Sequence, residues 1–349
     1  YISKIQTEFI VLKHSFGISV QYSPKIAFII KKTRINSYFC AMISEKAAQN
    51  SPRPGKDFAG RKDRSGRPIQ PFTHDDSIAD HIHLQLARAL YLCLDSVMQQ
   101  SVLPDEILIA DDGSGMETRD VVRHFERISP VPVRHIWHED RGFRVAAIRN
   151  KAIAASRCDY LIQIDGDLIL QRNFIQDHIA FAKEGHYVAG SRGIITEALT
   201  RKVLSGEITS LSALSRGVRN SNNALRIPIA AVLYRMLAPS RTPRSCNMAL
   251  WRKDALRVNG YDETFEGWGY EDTELGLRLE NSGIRQRLMK FSGIVFHLHH
   301  DKASREGCPA NEQRYMKSIR EHRTWSPAGI DRHLSPAGQA EIFAAFIHL

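Results

Sequence analysis

An α/β fold with a mostly parallel sheet flanked by helices is predicted for this chain, and three observations predict it. Short apolar runs alternate with helical stretches, the intervals suit right-handed crossovers, and two of the runs end in paired carboxylates. Leu90, Cys93, Leu94 and Val97 recur on one helical face, opening the ordered part of the chain. Glu106–Ala110 reads as a strand that stops at Asp111-Asp112-Gly113-Ser114. Met116–Arg127 reads as a helix, started by Ser114 and by acidic residues in its first turn. Val131–Trp137 is a second strand, Arg144–Ser156 a helix with Val145, Ile148, Ala152 and Ile153 on one side, Tyr160–Ile164 a third strand and Phe174–Lys183 a further helix.

The third strand ends in Asp165-Gly166-Asp167. In open α/β sheets ligands bind at the C-terminal edge of the strands, and both acidic pairs are predicted to lie there. Two anions at a strand end do nothing for folding, which points to a cation. Carboxylate ligands suit hard ions such as Mg²⁺ or Mn²⁺, which in turn hold phosphates.

A second constellation runs from Gly267-Trp268-Gly269-Tyr270 into Glu271-Asp272-Thr273-Glu274. Acidic residues in the first turn of a helix are favoured by the macrodipole, and Glu274 is read as no more than such a cap. Capping does not account for Trp268 between two glycines. An indole on a flexible turn beside carboxylates offers a sugar a stacking face with polar handles, and one carboxylate is placed to accept a proton from a hydroxyl. Downstream, Ile294–His300 is a strand ending in the histidines His297, His299 and His300, candidates for metal ligation.

The bulk numbers exclude some functions. The chain has 349 residues, 43% hydrophobic, enough to bury a sizeable core. No apolar run approaches the ~20 residues of a membrane helix. Phe9–Leu12 and Ile26–Ile30 are too short and too interrupted by lysine for a signal-peptide core. Five scattered cysteines (Cys40, Cys93, Cys158, Cys246, Cys308) without Cys-x-x-Cys spacing suggest reduced thiols in a cytosolic protein. The net charge is +10, but residues 1–75 hold 13 Lys/Arg against 5 Asp/Glu and account for +8 of it. A near-neutral body without interleaved aromatic and basic residues argues against nucleic-acid binding.

The first 88 residues read as foreign to the rest. Ile43–Asp76 lacks any sustained period and has a composition that resists packing. Asp75–Ala87, back-translated and read one base later with free third bases, yields Met-Ile-Val-Ser-Leu-Ile-Ile-Ser-Thr-Tyr-Asn-Trp-Pro. That is an initiator, a strand and a turn. A frameshift near Arg88 is therefore expected, with residues 1–88 non-native or disordered and the first strand missing or out of frame. Thr196–Arg244 carries Arg201, Lys202, Arg216, Arg219, Arg226, Arg235, Arg241 and Arg244 against Glu197 and Glu207. It reads as a solvated helical insertion, or alternatively as a basic, partly apolar flap facing an anionic acceptor or a membrane surface.

In this order, the motifs Asp111-Asp112-Gly113-Ser114, Asp165-Gly166-Asp167 and Gly267-Trp268-Gly269-Tyr270-Glu271-Asp272 resemble a family 2 glycosyltransferase of the GT-A fold. The resemblance runs from about Ala89 to about Arg305, and its C-terminal part is similar to the galactosyltransferase-type acceptor segment of chondroitin-polymerase-like enzymes. It implies a nucleotide-sugar-binding part over 89–195, an acceptor-binding and catalytic part over 245–305, the basic insertion at 196–244 and a tail at 306–349. It further implies that Asp111, Asp112, Arg144 and Asp165 contact the nucleotide. Asp167 would ligate Mn²⁺ or Mg²⁺, with His297 as the further ligand and His299 and His300 as alternates. Trp268, Glu271 and Asn247 would hold the acceptor or donor sugar, and Asp272 would be the general base of an inverting transfer. The implied donor is a nucleotide sugar, expected to be a UDP-sugar, and the acceptor a saccharide or glycolipid. The implied setting is polysaccharide or lipopolysaccharide synthesis in the cytoplasm, with peripheral contact at the inner face of the membrane. A sugar-nucleotide pyrophosphorylase on a similar sheet, and a transferase inactivated by the frameshift, are the rival readings.

Overall fold

The computed structural model describes residues 26–33, 78–237, 243, 246–300, 307–336 and 338–339. In chain order the elements are β1 (Ile26–Thr33), α1 (Ile78–Met98), β2 (Glu106–Asp112), α2 (Met116–Ile128), β3 (Val133–His138), α3 (Val145–Ala155), β4 (Tyr160–Asp165) and β5 (Leu168–Leu170). There follow α4 (Phe174–Phe181), β6 (His186–Gly190), β7 (Gly193–Ile195), α5 (Glu197–Leu204), β8 (Val218–Arg219), α6 (Pro228–Leu237), β9 (Asn247–Trp251) and α7 (Arg252–Arg257). The last are α8 (Glu271–Asn281), β10 (Arg285–Met289), β11 (Val295–His297) and α9 (Cys308–Arg320).

The main sheet has seven strands in the order β10-β6-β9-β4-β1-β2-β3. Among them β9 alone runs antiparallel to its neighbours, so the other six end on one common edge. This is the mixed, mostly parallel sheet of a GT-A fold. Successive residues of β2 serve opposite faces: Ile107 and Ile109 pack with Leu90, Leu94, Val97 and Phe125, whereas Leu108 and Ala110 pack with Ile148, Ile153 and Leu279. All four residues of the predicted α1 face are fully buried. A smaller sheet, β5-β11-β7-β8, sits beyond the end of β4.

One expectation is overturned at the centre of the sheet. The place of the first strand is filled by β1, which pairs in parallel with β2 on one side and β4 on the other. Ile26–Ile30 is too short for a signal core but has the right length and continuous apolar character for a strand buried on both faces; its Ile29 is 1% exposed. The boundary at residue 88 also fails, because α1 begins at Ile78 and runs through it. Residues 1–25 and 34–77, on which the rest of the frameshift reading falls, lie outside the described residues.

Two further segments are more integrated than expected. Residues 196–244 are not merely solvated: Leu199, Val203 and Ala224 pack on Phe296 and Leu298, covering the strand that carries the histidines. The supposed tail holds α9, which docks on α8. Asn311 Nδ2 donates to Glu266 O (2.9 Å) and Ser318 Oγ to Glu274 Oε1 (3.0 Å). Glu274 is therefore more than a cap. It is fully buried and accepts two 2.8 Å hydrogen bonds from Nε of equally buried Arg278. Glu274→Ala is expected to destabilise the fold by about 3–5 kcal/mol, because it leaves a buried guanidinium uncompensated. Urea denaturation checks this; a loss below about 1 kcal/mol would contradict it.

Candidate active site

The C-terminal edge of the sheet gathers most of the predicted residues. Asp165 closes β4, and Gly166-Asp167 make the turn into β5. β11 pairs antiparallel with β5, opposing His297 to Leu168, and Leu298 N donates to Asp167 O (3.0 Å). This register brings His297 Nε2 to 3.6 Å from Asp167 Oδ1 and His300 Nε2 to 3.1 Å from Oδ2. One ligand atom from each of Asp167, His297 and His300 lies within 4.8 Å of the others. Burial lowers the His297 pKa against the opposing pull of Asp167, which favours the neutral imidazole that ligation requires. The set of one carboxylate and two imidazoles fits a divalent ion. His300 thus joins His297, whereas His299, exposed like His300, is not part of this group, and its backbone N–H donates to Thr200 Oγ1 (2.8 Å).

Asp111 and Asp112 close β2 on the same edge, but the structure commits both carboxylates to the protein. Asp111 accepts from Ser114 N (2.9 Å) and meets His135 Nε2 at 2.8 Å; Asp112 accepts from Arg144 N (2.9 Å) and meets His138 Nε2 at 2.6 Å. They are 0% and 2% exposed. Asp111 thus holds the turn after β2 to β3, and Asp112 fixes the loop carrying Arg144. The Arg144 guanidinium donates through Nη2 to Glu139 O (2.7 Å). Ser114, expected to open α2, lies in the preceding turn, and Gly115 takes the cap position.

The constellation at the start of α8 is engaged by one residue that periodicity did not single out. Arg149, on α3, is 1% exposed. Its Nη1 donates to Glu271 Oε1 (3.0 Å), and its guanidinium lies 5.1 Å from the Tyr261 ring centroid. Burial alone would lower its pKa; Tyr261, Glu271, Asp165 and Asp272 reverse this and raise it, so the charge persists. This buried cation thus ties α3 to the first turn of α8. Glu271, expected to hold a sugar, is 9% exposed and is engaged by this cation. Asp272 beside it is half-buried.

Trp268 is 39% exposed, and the turn that carries it has positive φ at Gly267 (76°), Gly269 (106°) and Tyr270 (72°). Positive φ at a tyrosine is strained, and such strain persists only where surrounding contacts over-determine it. Here Tyr270 stacks on Tyr315 of α9 at 5.5 Å, and Gly267 N donates to Phe143 O (2.9 Å), joining the tryptophan turn to the Arg144 loop.

Asn247, a predicted sugar contact, lies in the interior of the protein. It is fully buried at the start of β9; its Oδ1 meets His178 Nε2 at 2.9 Å and its Nδ2 donates to Ser191 O (2.8 Å) and Gly293 O (3.0 Å). Its amide donors are spent inside the protein, where it ties β9 to the loops before β7 and β11. Burial pushes the His178 pKa down to about 4, keeping that partner neutral.

Among the described residues, no helix is long and apolar enough to cross a membrane, and the four cysteines form no disulfide. The profile of glycosyl transferase family 2 matches residues 86–258, and a profile described as the N-terminal domain of galactosyltransferase matches residues 226–301. A chondroitin synthase of Escherichia coli is 26% identical over 228 residues, covering 60% of this chain and 33% of that protein. A validoxylamine A glucosyltransferase of Streptomyces hygroscopicus subsp. limoneus is 30% identical over 208 residues, covering 55% and 45%. The chain therefore spans less than half the length of either relative. In structure it is similar to the mannosyltransferase PcManGT from Pyrobaculum calidifontis, solved in complex with GDP-Man and Mn²⁺. The TM-score is 0.50 at 14% identity, with 94% of this chain and 75% of that one covered, which speaks to the fold. Two overlapping profile matches from residue 86 to 301, on a sheet whose acidic strand ends share one edge, show that this chain carries a glycosyl transferase family 2 domain over residues 86–258, continued by a galactosyltransferase-type segment over residues 226–301.

Proposed function

We propose that this protein transfers a sugar, with inversion, from a nucleoside-diphosphate sugar to a hydroxyl of a saccharide or glycolipid acceptor. The observation that carries the reading is the gathering of Asp167, His297 and His300 where β4 ends, on the sheet edge that the matched family 2 domain supplies. The Asp272 carboxylate takes the proton of the acceptor hydroxyl. The hydroxyl oxygen bonds to the anomeric carbon from one side while the bond to the diphosphate oxygen breaks on the other. Trp268 offers the sugar a stacking face. Asp167, His297 and His300 would hold the divalent ion, which when bound supplies charge stabilisation to the departing diphosphate. Two imidazoles in the set favour Mn²⁺ over Mg²⁺, whose preference is for oxygen ligands. A UDP-sugar donor and a role in cell-surface polysaccharide or lipopolysaccharide assembly are part of the proposal. So is peripheral contact with the inner face of the membrane, which the bare Ile229, Val232 and Leu233 of α6 support.

Incubating the protein with Mn²⁺, a panel of nucleotide sugars and oligosaccharide acceptors tests the reading. Release of nucleoside diphosphate together with a product of inverted anomeric configuration is the expected result. Pyrophosphate release instead would favour the pyrophosphorylase alternative. Within the ligand set, His300→Ala is expected to weaken Mn²⁺ binding at least about tenfold, since even outer-shell partners of a metal site cost that much. His299→Ala is expected to leave it unchanged, as read by titration calorimetry.

A further inference from the structure

We propose that Arg192 is the phosphate-facing cation of this sheet edge: it rests against the Asp165-Gly166-Asp167 turn and turns to the diphosphate oxygens of a bound nucleotide. The assignment rests on the glycosyltransferase reading and deepens it.

Arg192 follows the end of β6 and precedes β7, on the same sheet edge as the acidic turn. Its Nη1 lies 4.0 Å from Asp165 Oδ2, at the outer limit of an ion pair, and 27% of the side chain is exposed. Nε is buried and makes no hydrogen bond. Other buried-end arginines of this protein are held differently. Arg226 grips Asp177 with two hydrogen bonds of 2.9 and 2.6 Å, and Arg278 is fully buried on Glu274 and Val258 O. A guanidinium offers five donors in a planar fork that matches phosphate. At Arg192 that fork lies beside the cleft without a close carboxylate to match it.

The charges give the arrangement a direction. An arginine side chain stays protonated in a protein, so Arg192 faces the acidic turn as a cation, 4.0 Å from Asp165 Oδ2. A divalent ion at Asp167 compensates the same carboxylates. Arg192 and the ion then repel each other, and the oxygens of a diphosphate are the anions left for the guanidinium to meet. The residue thus opposes the metal and supports the nucleotide. A residue that merely held the loop would support both.

Arg192→Met and Arg192→Lys are compared with wild type by calorimetry, using MnCl₂ alone and then UDP, GDP, CDP and TDP with Mn²⁺ present; thermal melts verify folding. Arg192→Met is expected to bind Mn²⁺ more tightly than wild type and to bind the preferred nucleoside diphosphate about tenfold to a hundredfold more weakly, the loss of a charge-assisted contact. Arg192→Lys is expected to fall between the two on the nucleotide. Unchanged nucleotide affinity in Arg192→Met, or a parallel fall in Mn²⁺ affinity, would overturn the assignment while leaving the transferase reading intact. Failure of wild type to bind any of the four nucleotides would overturn both.

Discussion

Asp272→Asn is expected to lower the rate of sugar transfer by about 10²–10⁴-fold while leaving nucleoside-diphosphate affinity at the wild-type value. The substitution keeps the shape of the side chain and removes its ability to accept a proton. Asp272 sits in the first turn of α8, half-buried, with Thr273 Oγ1 at a long 3.4 Å from its Oδ1. Fold and donor edge do not depend on such a contact, so the loss falls on kcat. Transfer kinetics beside calorimetry of the nucleoside diphosphate separate the two effects. Strong residual transfer would remove Asp272 from the role of base.

Arg149→Met is expected to act on stability and transfer together, costing about 3–5 kcal/mol of folding free energy and most of the activity. The guanidinium is enclosed between Glu271 and the face of Tyr261. Removing it leaves Glu271, 9% exposed, without its 3.0 Å partner, and leaves Asp165 and Asp272 without the charge they share. The double substitution Arg149→Met with Glu271→Gln is expected to recover part of the stability, since it takes away both members of the buried pair. Transfer is expected to stay lost, because the link between donor edge and acceptor helix is still absent. Denaturant midpoints and initial rates measure the two outcomes. A single variant with native stability and native transfer would end the idea that this cation joins the two halves of the site.

Much of the architecture follows from local pattern. β2 and β4 were legible because apolar runs terminate in acids, and α3 because Val145, Ile148, Ala152 and Ile153 recur at helical spacing. Asp165, Asp167, His297 and Asp272 were legible for a similar reason, as polar residues at element ends where packing does not require them. β1 was missed because its apolar run is far from the next predicted element and its neighbours looked unstructured. Parallel pairing with β2 and β4 depends on residues about 80 and 130 positions away, which no short window contains.

The sequence by itself determined which strand ends and which helix start carry the paired acids, and its motif order pointed to the family. Periods of 2 and 3.6 residues report which side chains turn inward, and chain punctuation reports where elements stop. Only the tertiary structure decided how the charges are distributed among partners. It brought His300, and not His299, together with Asp167 and His297, and it withdrew Asn247 into the interior with His178. It also placed Arg149 and Arg192 against carboxylates that lie elsewhere in the sequence. Charge interactions act through space across whichever elements the sheet order makes adjacent, and that order is a property of the assembled fold.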